Sequence, residues 1–230
     1  MSLRPLLLGH RGVRARGLRR LAASLPQENS LAAFEYALAH GCDGFEFDVR
    51  HTRDGRNVLW HDPECCGKEI ATTDYSDLAD QASNQLACLE DVLAEFGHRA
   101  YLDIELKVSG GEESIVAALR VRRPQRAFIV SSFLPEVLLC LRLLDANLPL
   151  GFLCDRGESM AAWRALPIGV LLPQEGLVTQ SLVAEAHGRS LQIMTWTVND
   201  SRRILELAGW GIDGLISDSP QLLYQTFHSD

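Results

Sequence analysis

The chain has 230 residues, 47% of them hydrophobic and 23% charged, with a mean hydropathy of −0.01. Such a composition excludes a disordered chain, and no apolar run reaches the roughly 20 residues of a membrane helix. The net charge of −8 argues against broad nucleic-acid binding, with Arg11, Arg14, Arg16, Arg19 and Arg20 as a local exception ahead of the first acid, Glu28.

In chain order, the apolar burst after Pro5 ends at Gly9, His10, Arg11 and Gly12, and reads as a buried strand with polar residues at its C-terminal end. The burst is too short for a signal-peptide core, which makes a cytoplasmic protein the expectation. After the arginine-rich stretch 11–20, which reads either as a solvated and partly helical face, the favoured reading, or as a loop that widens anion recognition, Asn29 or Ser30 can cap a helix over 30–40. Its Leu31, Phe34, Ala37 and Leu38 recur at helical spacing, and Gly41 ends it.

Residues 43–49 alternate. Phe45, Phe47 and Val49 take one face of a strand while Glu46 and Asp48 take the other. Two carboxylates side by side repel unless one is protonated or a cation neutralises both. A hard divalent metal such as Mg²⁺ or Ca²⁺, which prefers oxygen ligands, is the natural neutraliser. A turn at 53–56 and an extended piece at 57–60 form a hairpin-like excursion before His61 and Asp62. Residues 63–86 have weak periodicity and read as a small insertion.

A helix is expected over 89–96, then an alternating strand at 101–107 with Leu102, Ile104 and Leu106 on one face and Asp103, Glu105 and Lys107 on the other. Further strands start near 127, 149, 168, 191 and 213, at intervals of 19 to 26 residues, the cadence of one strand, one helix and two loops. Eight strands in all, each followed by a helix, imply a parallel sheet closed into a single (β/α)₈ TIM barrel over 1–230, with the insertion after strand two. No stretch of linker composition divides the chain. The cysteines, Cys42, Cys65, Cys66, Cys88, Cys140 and Cys154, lack CxxC spacing and read as free thiols.

In such barrels the strand C-termini form the active site, and His10, Arg11, Glu46, Asp48, Glu105, Lys107 and Trp196 all fall there. Taken singly, each has a plain structural reading as a packed histidine or a surface charge. Together they point to a metal-binding mouth.

The segments HRG (10–12), ENS (28–30), EFD (46–48), HD (61–62), IELK (104–107), WTVN (196–199) and GIDGLISDSP (211–220) occur in an order that resembles the glycerophosphodiester phosphodiesterase family. The resemblance covers nearly the whole chain, and that family's fold is the same barrel. It implies a metal held by Glu46, Asp48 and Glu105, with His10 and His61 as the acid–base pair. It also implies that Arg11 and Lys107 grip phosphate and that Trp196 lines the alcohol pocket. The chain departs from the family pattern in the length of 13–27, in the extra Gln27 and in the stretch 63–74 that follows His61–Asp62. The expected reaction is metal-dependent cleavage of a small glycerophosphodiester, giving sn-glycerol 3-phosphate and an alcohol. Two competing readings are a lysophospholipase D-like phosphodiesterase, disfavoured by the few bulky apolar residues at 63–86, and a non-catalytic barrel that binds a phosphate ligand.

Overall fold

The computed structural model describes residues 4–14, 25–82, 86–157 and 159–228. Arg16, Arg19 and Arg20 of the arginine-rich stretch lie outside them, as does the expectation of a partly helical face there.

Eight parallel strands form the barrel: β1 (Leu6–His10), β2 (Gly44–His51), β6 (Tyr101–Leu106), β7 (Phe128–Ser132), β8 (Leu150–Cys154), β9 (Val170–Pro173), β10 (Gln192–Thr195) and β11 (Gly214–Ser217). Pairing runs β1-β11-β10-β9-β8-β7-β6-β2 and closes where β2 returns to β1. The short strand β3 (Asn57–Leu59) pairs antiparallel with the end of β2, which makes the expected hairpin.

Strand alternation divides the apolar residues into two cores. Outward residues such as Leu7, Phe45, Phe47, Leu102 and Ile104 pack against the surrounding helices, whereas Leu8, Tyr101, Ile129, Leu153, Leu172, Met194 and Ile216 fill the barrel interior. The helix α1 (Leu31–Ala39) shows how a local pattern becomes packing. Ser30 caps it by accepting the Ala33 N–H, and Gly41 follows it at φ 88°, a left-handed conformation that costs glycine little. Its Phe34 then stacks on Phe45 at 4.2 Å and meets Phe96 edge-on at 5.9 Å.

The insertion has structure of its own: a two-stranded hairpin of β4 (Glu64–Cys65) and β5 (Lys68–Glu69), a 3₁₀ turn at Ile70–Thr72 and helix α2 (Tyr75–Gln81). Val58, Cys65, Ile70, Leu78, Leu86 and Cys88 form a small separate core beneath it. Helix α3 (Leu89–Phe96) spans the expected residues. Then come α4 (Glu112–Val121), α5 (Pro135–Leu144), α6 (Gln180–Gly188), α7 (Ser201–Gly209) and α8 (Pro220–His228).

One expectation fails. The crossover after β8 is a 3₁₀ helix, Ser159–Ala165, rather than an α-helix. It still buries Trp163 to 1% exposure, so one large indole covers the strand where a longer amphipathic helix does so elsewhere. Among the described residues, no helix is long and apolar enough to cross a membrane.

Candidate active site

Parallel register determines which acids meet. His10 pairs with Glu46 across β1 and β2, while Glu46 pairs with Asp103 and Asp48 with Glu105 across β2 and β6. Because side chains repeat every two residues along a strand, all five point into the barrel in two stacked levels, the upper one at its C-terminal mouth. Glu46, Asp48 and Glu105 each offer an oxygen, and these atoms lie within 4.8 Å of one another.

A cleft of about 230 Å³ opens above them. His10, Arg11, Glu46, His61, Glu105, Lys107 and Trp196 line it, together with Arg14, Phe133, Leu153, Thr197 and Ile216. Seven of the eight residues expected from sequence thus share one cleft. Asp48 lies just beneath, 1% exposed, and ties the others together. Its Oδ2 accepts from Asn29 Nδ2 at 2.8 Å and lies 3.0 Å from Arg11 Nε, while its Oδ1 is 3.3 Å from Lys107 Nζ.

The two cations are not free forks waiting for phosphate. Lys107 Nζ sits 2.6 Å from Glu105 Oε1, and Arg11 donates through Nη1 to Glu28 Oε1 at 2.6 Å. Arg11 also gives its backbone N–H to Glu46 Oε2 at 2.9 Å, from a left-handed φ of 51° that turns the chain over the carboxylate. Four buried acids, Glu46, Asp48, Asp103 and Glu105, therefore outnumber the two cations ion-paired with them, buried Arg11 and partly buried Lys107, with Arg50 acting on Asp48 and Glu105 from farther off. Glu46 Oε1 is buried with no hydrogen-bond partner among the described residues.

The titration of the acids follows from this imbalance. Burial first, then the charges of Asp48, Glu105 and Asp103, push the Glu46 carboxyl well above the usual carboxylate range. Glu105 is pushed up to about 7, by burial and then by Asp48, against the opposing pull of Lys107. Asp103, one level down and hydrogen-bonded to Ser131 at 2.6 Å, is likewise pushed up to about 7 by burial. For Asp48 burial acts upward too, but Arg11, Lys107 and the Asn29 hydrogen bond outweigh it and hold the carboxyl below its ordinary value. A hard divalent cation fits this donor set, because it takes oxygen ligands and supplies the missing positive charge.

The two histidines occupy different settings. His10 ends β1, 8% exposed, with Nδ1 2.7 Å from Asp218 Oδ1 and Nε2 3.8 Å from Glu46 Oε2. His61 stands at the rim, its Nδ1 2.7 Å from Asp62 Oδ1, and Arg50 fastens its carbonyl through two N–H groups at 2.8 and 2.6 Å. Burial lowers the pKa of both imidazoles.

On the far side of the cleft Trp196 meets Phe133 edge-on at 5.4 Å, and its Nε1 donates to the Leu172 carbonyl at 2.9 Å. Leu153 and Ile216, 3% and 1% exposed, complete this wall. Sequence reasoning did not single out Phe133, Glu28, Asn29, Asn199 or Asp218 as site residues. Four of the five were within reach, since Glu28, Asn29, Asn199 and Asp218 belong to the ENS, WTVN and GIDGLISDSP segments.

A closed parallel barrel with imidazoles, carboxylates and cations gathered at the C-terminal mouth defines a barrel enzyme. The model of the glycerophosphoryl diester phosphodiesterase family matches residues 10–222. The chain is 26% identical to a glycerophosphodiester phosphodiesterase of Caldanaerobacter subterraneus subsp. tengcongensis, over 96% of this chain and 97% of that one. The fold is similar to that of the Thermotoga maritima glycerophosphodiester phosphodiesterase, at TM-score 0.80 and 22% identity over 98% of this chain and 99% of the other. It is equally similar to an Oleispira antarctica phosphodiesterase solved with the product sn-glycerol-3-phosphate, at TM-score 0.80 and 23% identity over 98% of each chain. The chain belongs to the glycerophosphoryl diester phosphodiesterase family. It is a phosphoric diester hydrolase that acts on glycerophosphodiesters.

Proposed function

We propose that this hydrolase cleaves small, deacylated glycerophosphodiesters to sn-glycerol 3-phosphate and the free alcohol, and that it depends on a divalent cation, Mg²⁺ or Ca²⁺. The observation that carries the reading is the buried trio Glu46, Asp48 and Glu105, with Glu46 Oε1 unpartnered among the described residues, set in the same cleft as two imidazoles. Those three carboxylates would hold the cation, which when bound offsets charge on the phosphoryl oxygens.

The remaining steps belong to side chains. Arg11 and Lys107 present positive charge to the phosphodiester, Arg11 through a planar guanidinium and Lys107 as a point charge. His10 and His61 share the proton transfers that hydrolysis requires, one removing a proton from the attacking hydroxyl and the other delivering one to the leaving alkoxide. Burial lowers the pKa of both imidazoles, which favours the proton-accepting form of the one that serves as base; the one that serves as acid carries the proton it delivers. Trp196 and Phe133 offer carbon faces against which glycerol or a small alcohol fixes its orientation. A cleft of about 230 Å³ suits such a substrate better than one carrying an acyl chain.

The test is coupled detection of glycerol 3-phosphate from glycerophosphoethanolamine and glycerophosphocholine, with metal-loaded and chelated enzyme. Rapid release by the loaded enzyme only is the expected result. Efficient release of choline from lysophosphatidylcholine, with little turnover of the deacylated diesters, moves the assignment to a lysophospholipase D. Full activity under chelation removes the metal from the reading.

A further inference from the structure

Behind His10 runs a chain of hydrogen bonds whose direction a backbone group determines. The Asp218 N–H, which can only donate, bonds to Asn199 Oδ1 at 3.0 Å, and the Ser217 hydroxyl donates to the same oxygen at 2.8 Å. An Asn199 amide turned the other way would set its NH₂ against that N–H. Its Nδ2 therefore lies on the opposite side and donates to Asp218 Oδ2 at 2.9 Å. The other oxygen of the same carboxylate is 2.7 Å from His10 Nδ1. A carboxylate only accepts, so Nδ1 carries the hydrogen, and the neutral imidazole keeps its lone pair on Nε2. That nitrogen faces the acidic cluster, 3.8 Å from Glu46 Oε2. Asp218 is 2% exposed, so bulk water does not compete for its oxygens. His61 has no such support, because its partner Asp62 is 72% exposed along the side chain.

We propose that Asn199 and Asp218 are positioning residues that hold His10 as its Nδ1–H tautomer and aim a bare Nε2 at the reacting phosphodiester. The catalytic consequence rests on the phosphodiesterase reading of the cleft; the tautomer does not. When Nε2 takes the proton of an attacking hydroxyl, the O–H bond breaks, an Nε2–H bond forms and the oxygen's electron pair is freed for phosphorus. The charge that appears on the ring is opposed by Asp218.

The test begins on the unaltered, Mg²⁺-loaded protein carrying ¹⁵N-labelled histidine, at mildly alkaline pH, with His10 signals assigned by their loss in His10→Ala. A pyrrole-like Nδ1 and a pyridine-like Nε2 are expected; the reverse pattern overturns the proposal. In Asp218→Asn, Asn199 still donates toward the place of Oδ2. The new amide therefore puts its oxygen there and its NH₂ toward His10, which reverses the tautomer. The expected kcat falls about 10²–10⁴-fold with KM little changed. Adding Asn199→Ala removes the donor that sets this orientation, and Arg14 Nη1, 3.9 Å from Asp218 Oδ1, then favours the amide oxygen on the His10 side, so the double variant regains both Nδ1–H and part of the lost kcat. A double variant no more active than Asp218→Asn, or a folded Asp218→Asn with reversed tautomer and undiminished kcat, overturns the positioning role. Should Asp218→Asn fail to fold, the wild-type spectrum decides. An Nδ1–H signature in a wild type that does not cleave glycerophosphodiesters counts against the phosphodiesterase reading and not against this one.

Discussion

The two halves of the cleft are built on the same kind of strand and do opposite things. On the side of β1, β2 and β6 the inward positions at the mouth and one level below it are His10, Glu46, Asp48 and Glu105; on the side of β7 to β11 the wall is Phe133, Leu153, Trp196 and Ile216. Burying four acids against two cations works against folding, since a buried charge is tolerated only when paired, and Glu46 Oε1 has no partner among the described residues. Burying Leu153 and Ile216 favours it. The comparison teaches that one half stores electrostatic tension, which the proposed reaction would use, and the other supplies stability and, on the same proposal, a surface to hold carbon.

The sharpest way to break the comparison is to remove the cation proposed for the charged half. Chelation is expected to abolish turnover, with recovery on adding Mg²⁺ or Ca²⁺, and Glu46→Gln, Asp48→Asn or Glu105→Gln each to prevent that recovery; a coupled glycerol 3-phosphate assay with graded metal checks it. Next in size are the imidazoles. His10→Ala and His61→Ala should each lower kcat by about 10²–10⁴-fold while circular dichroism stays native, the usual worth of general acid–base catalysis.

The apolar half should answer in a different parameter. Trp196→Ala or Phe133→Ala removes an edge-to-face pair worth about 1 kcal/mol along with a contact surface. Steady-state kinetics should show KM for glycerophosphodiesters rising several-fold, with kcat changed far less than in the histidine variants. A fall in kcat as large as that of His10→Ala would erase the division of labour.

The smallest effect is on stability. Burial alone would raise the Asp218 pKa, but the His10 hydrogen bond and charge, Arg14 and Asn199 together hold it below the ordinary value. A depressed carboxylate contributes stability that is present above its unfolded pKa and lost as pH falls through the folded one. Thermal melts should therefore show wild type losing stability below about pH 4 more steeply than Asp218→Asn.

Much of this was legible beforehand because it is local. Alternation at Phe45, Glu46, Phe47 and Asp48 puts both acids on one face whatever the rest of the chain does, and the regular recurrence of strand starts identifies the barrel. The crossover after β8 was not legible, because Trp163 covers the strand there without a helical repeat to announce it.

By itself, then, the sequence determined the eight strands and, in the second and third, the two faces and the acids carried on one of them, since period-two geometry and turn chemistry act within a few residues. Tertiary structure decided the pairings. Asp218 meets His10 across 208 residues of chain because ring closure sets β1 against β11 as well as β2. Closure likewise brings Phe133 to Trp196, and it ties Arg11 and Lys107 to the same aspartate. No local pattern encodes these meetings, because each depends on which strand ends the closed barrel places side by side.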